Sequence, residues 1–239
     1  MIDAKRSTAS RIGRLAIGGV AAGVAAALLI LAAGTLFVDR VVPPQAPKAV
    51  APLTAEPGSV GGFEISGFRT ARFGMKEPEL REALSKDFGL TPESLTVTEA
   101  AGLGARTLSF LLDGLVPGAG VAQISYIFGY QGKDLIQISA TWGGLGRPEL
   151  GPPQLEAAAA ELKRYFRSLP LDPALLSFDL RQPDGSIVLA RARDPQGHVA
   201  MLIRSDLPDR AGVKRPMVQL VYIRDDKRPD VFRIQKGHF

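Results

Sequence analysis

Few residues of this chain have the types and spacing that acid–base or metal chemistry requires. Histidine is the commonest general base and metal ligand. The sequence has two: His198, which follows a glycine in an expected turn, and His238, next to the C-terminus. Neither belongs to a paired-histidine motif. Both are expected to be solvated, and we predict no metal site and no cofactor.

Nucleophiles are equally sparse. The sequence contains no cysteine, which excludes disulfides, cysteine-based zinc sites, a catalytic thiol and the acylated cysteine of a bacterial lipoprotein. No serine stands in a Gly-x-Ser-x-Gly context, and no glycine loop has a phosphate- or dinucleotide-binding pattern. Asp225-Asp226, followed by Lys227-Arg228, is typical of a charged loop. We therefore predict no catalytic residue, although carboxylates or a Ser–Lys pair keep an enzyme open as an alternative.

The first element that could position any group is an apolar run, Leu15–Val38, which contains no charge, Asn, Gln or Pro. A helix needs about 20 mostly apolar residues to cross a bilayer. Residues 1–14 carry four basic residues and one acidic residue, and such an excess of positive charge stays on the cytoplasmic side. We predict a transmembrane helix at 15–38 in the bacterial inner (plasma) membrane, with the C-terminal domain in the periplasm. A cleaved secretory signal and a buried helix of a soluble protein are the alternatives.

Small residues recur along one stripe of the predicted span. Gly19 and Gly23 form a Gly-x-x-x-Gly pair, and Ala16 and Ala27 extend the stripe. Small residues let two backbones approach closely in lipid. We expect a helix–helix contact here, with a second copy or with another membrane protein. The alternative is that an Ala/Gly-rich composition produces such pairs by chance.

Residues 39–58 form a proline-rich linker, DRVVPPQAPKAVAPLTAEPG. Proline fixes φ and removes the backbone donor, so neither a helix nor the inside of a sheet suits this stretch. We expect an extended spacer or an unstructured tether between the membrane and residues 59–239.

Residues 59–239 are predicted to form an α+β domain with a largely antiparallel sheet and two main helices. Alternating apolar residues predict strands, and apolar residues four apart predict helices. Helices are expected at Glu77–Phe88 and Gln154–Leu169. Strands are expected at Phe63–Arg69, Thr107–Leu112, Ala122–Tyr130, Leu135–Trp142, Phe178–Leu180, Ile187–Arg193, Val199–Ser205 and Met217–Arg224. The order suggests two related halves, 59–150 and 151–239, each a helix followed by strands, which could share one sheet with both helices on one face.

The stretch RFGMKEPELREAL, residues 72–84, resembles the strand-Gly-Met-helix unit of small BamE-like envelope lipoproteins. The resemblance covers a small part of the chain. The sequence is longer than those lipoproteins and lacks their lipidated cysteine, so we assign no family from it.

The two halves differ in charge. Residues 59–159 hold 8 basic and 11 acidic residues, whereas residues 160–239 hold 15 basic and 10 acidic ones. The basic half could attract an anionic surface, or it could be a solvated surface without a role. The modest excess gives no reason to expect a nucleic-acid partner.

One loop is unusually apolar. Between two predicted strands, Leu115, Val116, Pro117 and Val121 stand among glycines and alanine without a charge. Exposed apolar loops often mark partner sites, so this loop is a candidate partner contact. The alternative is that it folds back over the end of the core.

These features favour a membrane-anchored, non-enzymatic envelope protein. Its exported domain is expected to bind a protein partner or to act as an accessory subunit of a membrane complex. An exported enzyme acting on an envelope polymer and a module that binds anionic lipid or polymer are the alternatives.

Overall fold

The structure, a computed structural model, describes residues 63–99, 105–147 and 149–231. Two helices and ten strands are assigned within them. The helices are α1 (Glu77–Phe88) and α2 (Pro152–Ser168), and single 3₁₀ turns lie at Pro92–Ser94 and Pro173–Leu175. The strands are β1 (Gly67–Phe68), β2 (Ala71–Arg72), β3 (Thr96–Glu99), β4 (Arg106–Leu112), β5 (Ala122–Phe128), β6 (Leu135–Gly143), β7 (Leu176–Arg181), β8 (Ile187–Arg193), β9 (Val199–Pro208) and β10 (Lys214–Ile223).

Eight strands form one antiparallel sheet in the order β3-β4-β5-β6-β10-β9-β8-β7. Each half of this order is a run of four strands consecutive in sequence, and the two runs meet where β6 pairs with β10. A helix precedes each run, so the sequence of elements is a helix and four strands, twice. The remaining strands, β1 and β2, form a small hairpin before α1.

Local sequence explains where the helices begin and end. At the start of α1 the Glu79 carboxylate accepts the backbone N–H of Lys76 at 2.8 Å. The helix ends at Gly89, whose φ of 66° is the left-handed conformation that glycine adopts without strain. In α2 the buried side chains form one stripe along the helix, and its two central members, Ala158 and Ala159, are small enough to let the helix approach the sheet.

Both helices pack on the same side of the sheet, which we call the first face. Its side chains align across the strands, as in the row Leu108, Tyr126, Ile138, Tyr222, Ala200 and Ala192. They form one core with Leu80 and Leu84 of α1 and Leu162 and Phe166 of α2. The large buried rings of Trp142 and Tyr126 belong to this core.

The expected α+β class, with a large antiparallel sheet and two helices, is confirmed. Several local expectations were wrong. The strand expected at Phe63–Arg69 is replaced by the β1–β2 hairpin, and β3 at Thr96–Glu99 was not predicted. β9 extends past the expected Ser205 to Pro208, and β10 begins at Lys214 rather than at Met217. Within the described ranges no helix combines the length and the apolar character that a membrane crossing needs. The predicted span at 15–38 and the linker at 39–58 lie outside those ranges.

Candidate partner interface on the second face of the sheet

The side of the sheet opposite the helices, which we call the second face, has an unusual composition. Strand register places one continuous row of side chains on it: Ser109, Ser125, Ser139, Val221, Met201, Arg191 and Ser177. The parallel rows on either side follow the same trend. Neutral polar side chains on β4–β6 give way to apolar side chains on β8–β10.

The β4–β6 part of the second face is built from hydroxyls and amides. Its polar members are Thr107, Ser109, Gln123, Ser125, Gln137, Ser139 and Thr141, and none of them carries a charge. Six of these seven are buried, and Thr141 is half-buried. A half-solvated antiparallel sheet normally presents charged or long polar groups to water. The short hydroxyls and buried amides of β4–β6 do not form a water-facing surface of that kind.

The β8–β10 part of the second face is mostly apolar. Its buried apolar members form a cluster separate from the main core: Val188, Val199, Met201, Ile203, Val221 and Ile223. Every member comes from a strand, whereas the buried residues of α2 belong to the main core. Neither described helix therefore supplies the contacts of the second face.

Three buried polar atoms on or beside the boundary between these parts have no hydrogen-bond partner. They are Nε2 of Gln137, Oε1 of Gln219 and Oγ of Ser205. Gln137 and Gln219 are each 2% exposed and Ser205 is 8% exposed. The amide nitrogen of Gln219 does have a hydrogen-bond partner, because its Nε2 donates to Oγ1 of Thr141 at 3.2 Å. An unpartnered buried polar group costs about 1–3 kcal/mol, so these three atoms lower the stability of the folded state.

Two arginines and one aspartate form the charged rim of the second face. Arg191 and Arg193 stand two residues apart on β8, and both bind the Asp226 carboxylate. Nη2 of Arg193 lies 2.7 and 2.6 Å from its two oxygens, and Nη2 of Arg191 lies 2.9 Å from one of them. Asp226 was expected in a charged loop, and its side chain there is only 8% exposed. Two guanidinium groups against one carboxylate leave this rim with a net positive charge.

A second buried carboxylate fixes the point where the chain enters the domain. Asp194, in the β8–β9 turn, accepts the backbone N–H of Ile65 at 2.9 Å, the backbone N–H of His198 at 2.8 Å and Nδ1 of His198 at 2.9 Å. Its side chain is fully buried, and the His198 side chain is 19% exposed. His198 was expected to be solvated. It is instead part of the contact that ties the first described residues to the turn beside Arg193 and Val199.

The apolar loop identified from the sequence lies on the other side of the molecule. Leu115 and Val116 are 4% and 2% exposed and belong to the main core. Pro117 is exposed and Val121 is half-buried. The loop therefore folds back over the end of the core with its first two apolar residues. Its role as a partner contact stays a prediction, and Pro117 is its exposed member.

The predicted helix-packing residues Ala16, Gly19, Gly23 and Ala27 lie outside the described residues. Within the described ranges, no three histidine or acidic side chains stand close enough together to hold a metal ion.

Shifted pKa values occur away from the hydroxyl and amide part of the second face. A hydrogen bond from Arg106 lowers the pKa of Glu77 at the start of α1. Burial under the helices raises the pKa of Tyr126 and of Tyr222 well above the ordinary tyrosine value. The side chains that line β4–β6 on the second face do not titrate at all. This surface is suited to hydrogen bonding rather than to proton transfer.

Sequence reasoning missed the second face because its residues look like ordinary solvent-facing positions. In β4–β6, Ser, Thr or Gln alternates with large apolar residues, which is also the pattern of a sheet with one solvent-exposed side. The available signal was the lack of Lys, Glu and Asp at those positions. Their juxtaposition depends on the β6–β10 pairing, which joins residues far apart in the chain.

Comparison with known proteins gives no relative: no protein-family model, no curated protein and no solved structure matches the chain.

Proposed function

We propose that this chain is a single-span protein of the bacterial inner membrane whose periplasmic domain binds a protein partner through the second face of the sheet. It acts without catalysis, as an accessory subunit of a membrane complex. The apolar run at 15–38 and the basic tail at 1–14 support the anchor and its orientation. The small-residue stripe of Ala16, Gly19, Gly23 and Ala27 supports a further contact within the membrane.

The observation that carries the proposal is the set of unpartnered atoms on Gln137, Gln219 and Ser205. A surface evolved only for solubility would place such groups in water, and one evolved only for stability would replace them with apolar side chains. A polypeptide partner brings both donors and acceptors. The apolar cluster beside these atoms adds an area that such a partner can bury.

Site-specific photo-cross-linking in native membranes tests the proposal. Thr98 and Ser177 are half-buried residues at opposite edges of the second face, so a photoreactive side chain fits at either. Ala160, exposed on α2, is the matched control on the helix side. We expect both edge positions to label one and the same protein and Ala160 to leave it unlabelled. Equal labelling from Ala160, or no protein adduct from either edge, would contradict the proposal.

The charged rim favours a second candidate, binding of an anionic polymer or lipid headgroup. Arg191 uses one nitrogen on Asp226, and guanidinium groups bind phosphate and carboxylate well. The test is binding of polyphosphate to the full chain in neutral detergent. Arg191→Gln should weaken it, whereas Arg204→Gln, on the helix side beside Glu156, should not. If both substitutions have the same effect, the binding is unspecific charge attraction and this candidate fails.

A further inference from the structure

The hairpin between β9 and β10 projects beyond the rest of the sheet. Its two strands pair with each other as far as Pro208 and Lys214. On one side the neighbouring strand β6 ends at Gly143, and on the other side the pairing with β8 ends at Arg204. Within the described ranges, residues 206–216 therefore have no third strand beside them, and we call this projecting hairpin the arm.

The arm points away from the end of the sheet where the described chain enters. At that end the Asp194 carboxylate of the β8–β9 turn accepts the backbone N–H of Ile65 at 2.9 Å. β9 then runs from Val199 to Pro208, which covers roughly 30 Å at ordinary strand dimensions. The tip of the arm therefore lies at the opposite end of the sheet, and a partner bound there does not contact the entry point.

Hydrogen bonds hold the arm at its tip and at its base. Oδ1 of Asp209 accepts the backbone N–H groups of Ala211 and Val213, both at 2.9 Å. At the base, the backbone N–H of Gly144 donates to the carbonyl of Pro216 at 2.9 Å. A loop that is already ordered in the free protein loses little conformational entropy when it binds. The arm is therefore pre-organised for a contact at its tip.

Two prolines make the edges of the arm poor sites for strand addition. Pro208 stands opposite Lys214, and Pro216 stands opposite Asp206. Proline has no backbone N–H, and on an edge strand it interferes with pairing by another strand. A partner of the arm is therefore expected to contact the side chains of its tip rather than to extend its two strands.

The tip presents one apolar side chain between two cations. Val213 is 50% exposed, and Arg210 and Lys214 are exposed near it in the chain. Among the described residues neither cation has an ion-pair partner, whereas the arm's third cation, Arg215, is paired with Asp209 at 3.0 Å. One exposed apolar residue is ordinary on a protein surface. Here it stands at the end of a rigid projection, beside two unpaired charges.

These side chains suit a protein better than a lipid surface. One valine buries too little apolar area to hold a protein on a bilayer, where even a single acyl chain gives only marginal binding. The arm also has no Trp or Tyr, the residues that anchor proteins at a membrane interface. A folded protein can enclose the valine in an apolar depression and can pair both cations with carboxylates.

From the projection, the ordered tip and the unpaired cations, we infer that the arm inserts Val213 into an apolar depression of a protein partner. Asp or Glu side chains at the rim of that depression pair with Arg210 and Lys214. The contact uses the arm alone. It therefore holds or fails independently of the second-face contact in the proposed function.

Site-specific photo-cross-linking of the full chain in native membranes tests the inference. A photoreactive side chain replaces Val213 at the tip. The matched control carries it in place of Pro183, which is exposed in the β7–β8 turn at the same end of the sheet but does not belong to the arm. Mass spectrometry identifies the adduct and locates the cross-linked peptide of the partner.

Charge reversal tests the part that the two cations play. The double substitution Arg210→Glu and Lys214→Glu is combined with the photoreactive side chain at position 213. Its matched control, Lys86→Glu with Arg164→Glu, reverses two exposed cations on the helices and changes the net charge by the same amount.

We expect position 213 to give a protein adduct that position 183 does not give, at a partner peptide that contains Asp or Glu. Reversing both arm charges should lower its yield severalfold, and the helix control should leave it unchanged. Equal adducts from both positions, an equal effect of the two double substitutions, or an adduct with lipid instead of protein would overturn the inference. Absence of any adduct from position 213 would overturn it too. The cross-links from Thr98 and Ser177 report separately on the proposed function.

Discussion

Replacing Gln137 with methionine should stabilise the protein while weakening the proposed partner contact. Gln137 is 2% exposed and its Nε2 has no hydrogen-bond partner, so the folded state bears the cost of desolvating that group. Removing such a cost is worth about 1–3 kcal/mol, and methionine has nearly the same volume. For a domain of this size each kcal/mol raises Tm by about 2–4 °C.

The assay is denaturant unfolding of the full chain in neutral detergent, followed by domain-specific probes such as Trp142 fluorescence. Thr141→Val is the matched control, because it is equally isosteric, lies on the same face and removes the acceptor of a hydrogen bond that is made, from Nε2 of Gln219 at 3.2 Å. It should lower the free energy of unfolding by about 1–3 kcal/mol. The two substitutions therefore shift stability in opposite directions.

A loss of stability in Gln137→Met comparable to that in Thr141→Val would refute the reasoning, because it would mean that Gln137 is fully hydrogen-bonded in the free protein. Photo-cross-linking tests the second part of the prediction, the weaker partner contact. Gln137→Met should reduce photo-cross-linking from Thr98, and an unchanged yield would show that this amide plays no part in recognition.

Three further predictions concern the contacts that hold the domain together. Asp194→Ala should lower the free energy of unfolding by at least about 2 kcal/mol, because it removes the acceptor of three hydrogen bonds; a loss below about 1 kcal/mol in a thermal or denaturant melt would contradict this. Phe166→Ala should cost about 3–5 kcal/mol, since the ring is fully buried between α2 and the sheet, and a near-neutral result would mean that α2 is not docked as described. Glu77→Gln should destabilise the protein at neutral pH and not in acid. The hydrogen bond from Arg106 lowers the pKa of Glu77 in the folded state. The stabilisation that the Glu77 carboxylate gives is therefore present above the ordinary glutamate range, and it is lost as the pH falls through the folded-state pKa. Unfolding curves across that range check the sign, and a difference that grows toward acid would contradict it.

The elements that sequence reasoning predicted well are those with strong local patterns. Leu80 and Leu84, with an early proline and Gly89 at the end, define α1, and the alternation of Leu108, Phe110 and Leu112 defines β4. β3 was missed because TVTE has one apolar residue, Val97, which lies at the sheet edge and is 41% exposed. Such a strand forms because β4 offers an edge to pair with.

The candidate site depended on long-range pairing that local patterns do not reveal. The side chains of the candidate site share one face only because β6, β10 and β9 are neighbours in the sheet. These strands carry Ser139, Gln219 and Ser205. The burial of Asp226 has the same origin, since its arginine partners lie more than thirty residues away on β8. Asp194 behaves similarly, because its contact with Ile65 closes a separation of 129 residues.

The central claim is that the folded domain lies across the bilayer from the basic tail, where a periplasmic partner can reach it. Labelling with a membrane-impermeant maleimide tests this most directly, because no native cysteine interferes. A cysteine at Ala160, exposed on α2, should react in intact spheroplasts, and one at Ser7 should react only after lysis. Labelling of Ser7→Cys but not Ala160→Cys in intact spheroplasts, or a mature protein without residues 1–38, would contradict the account.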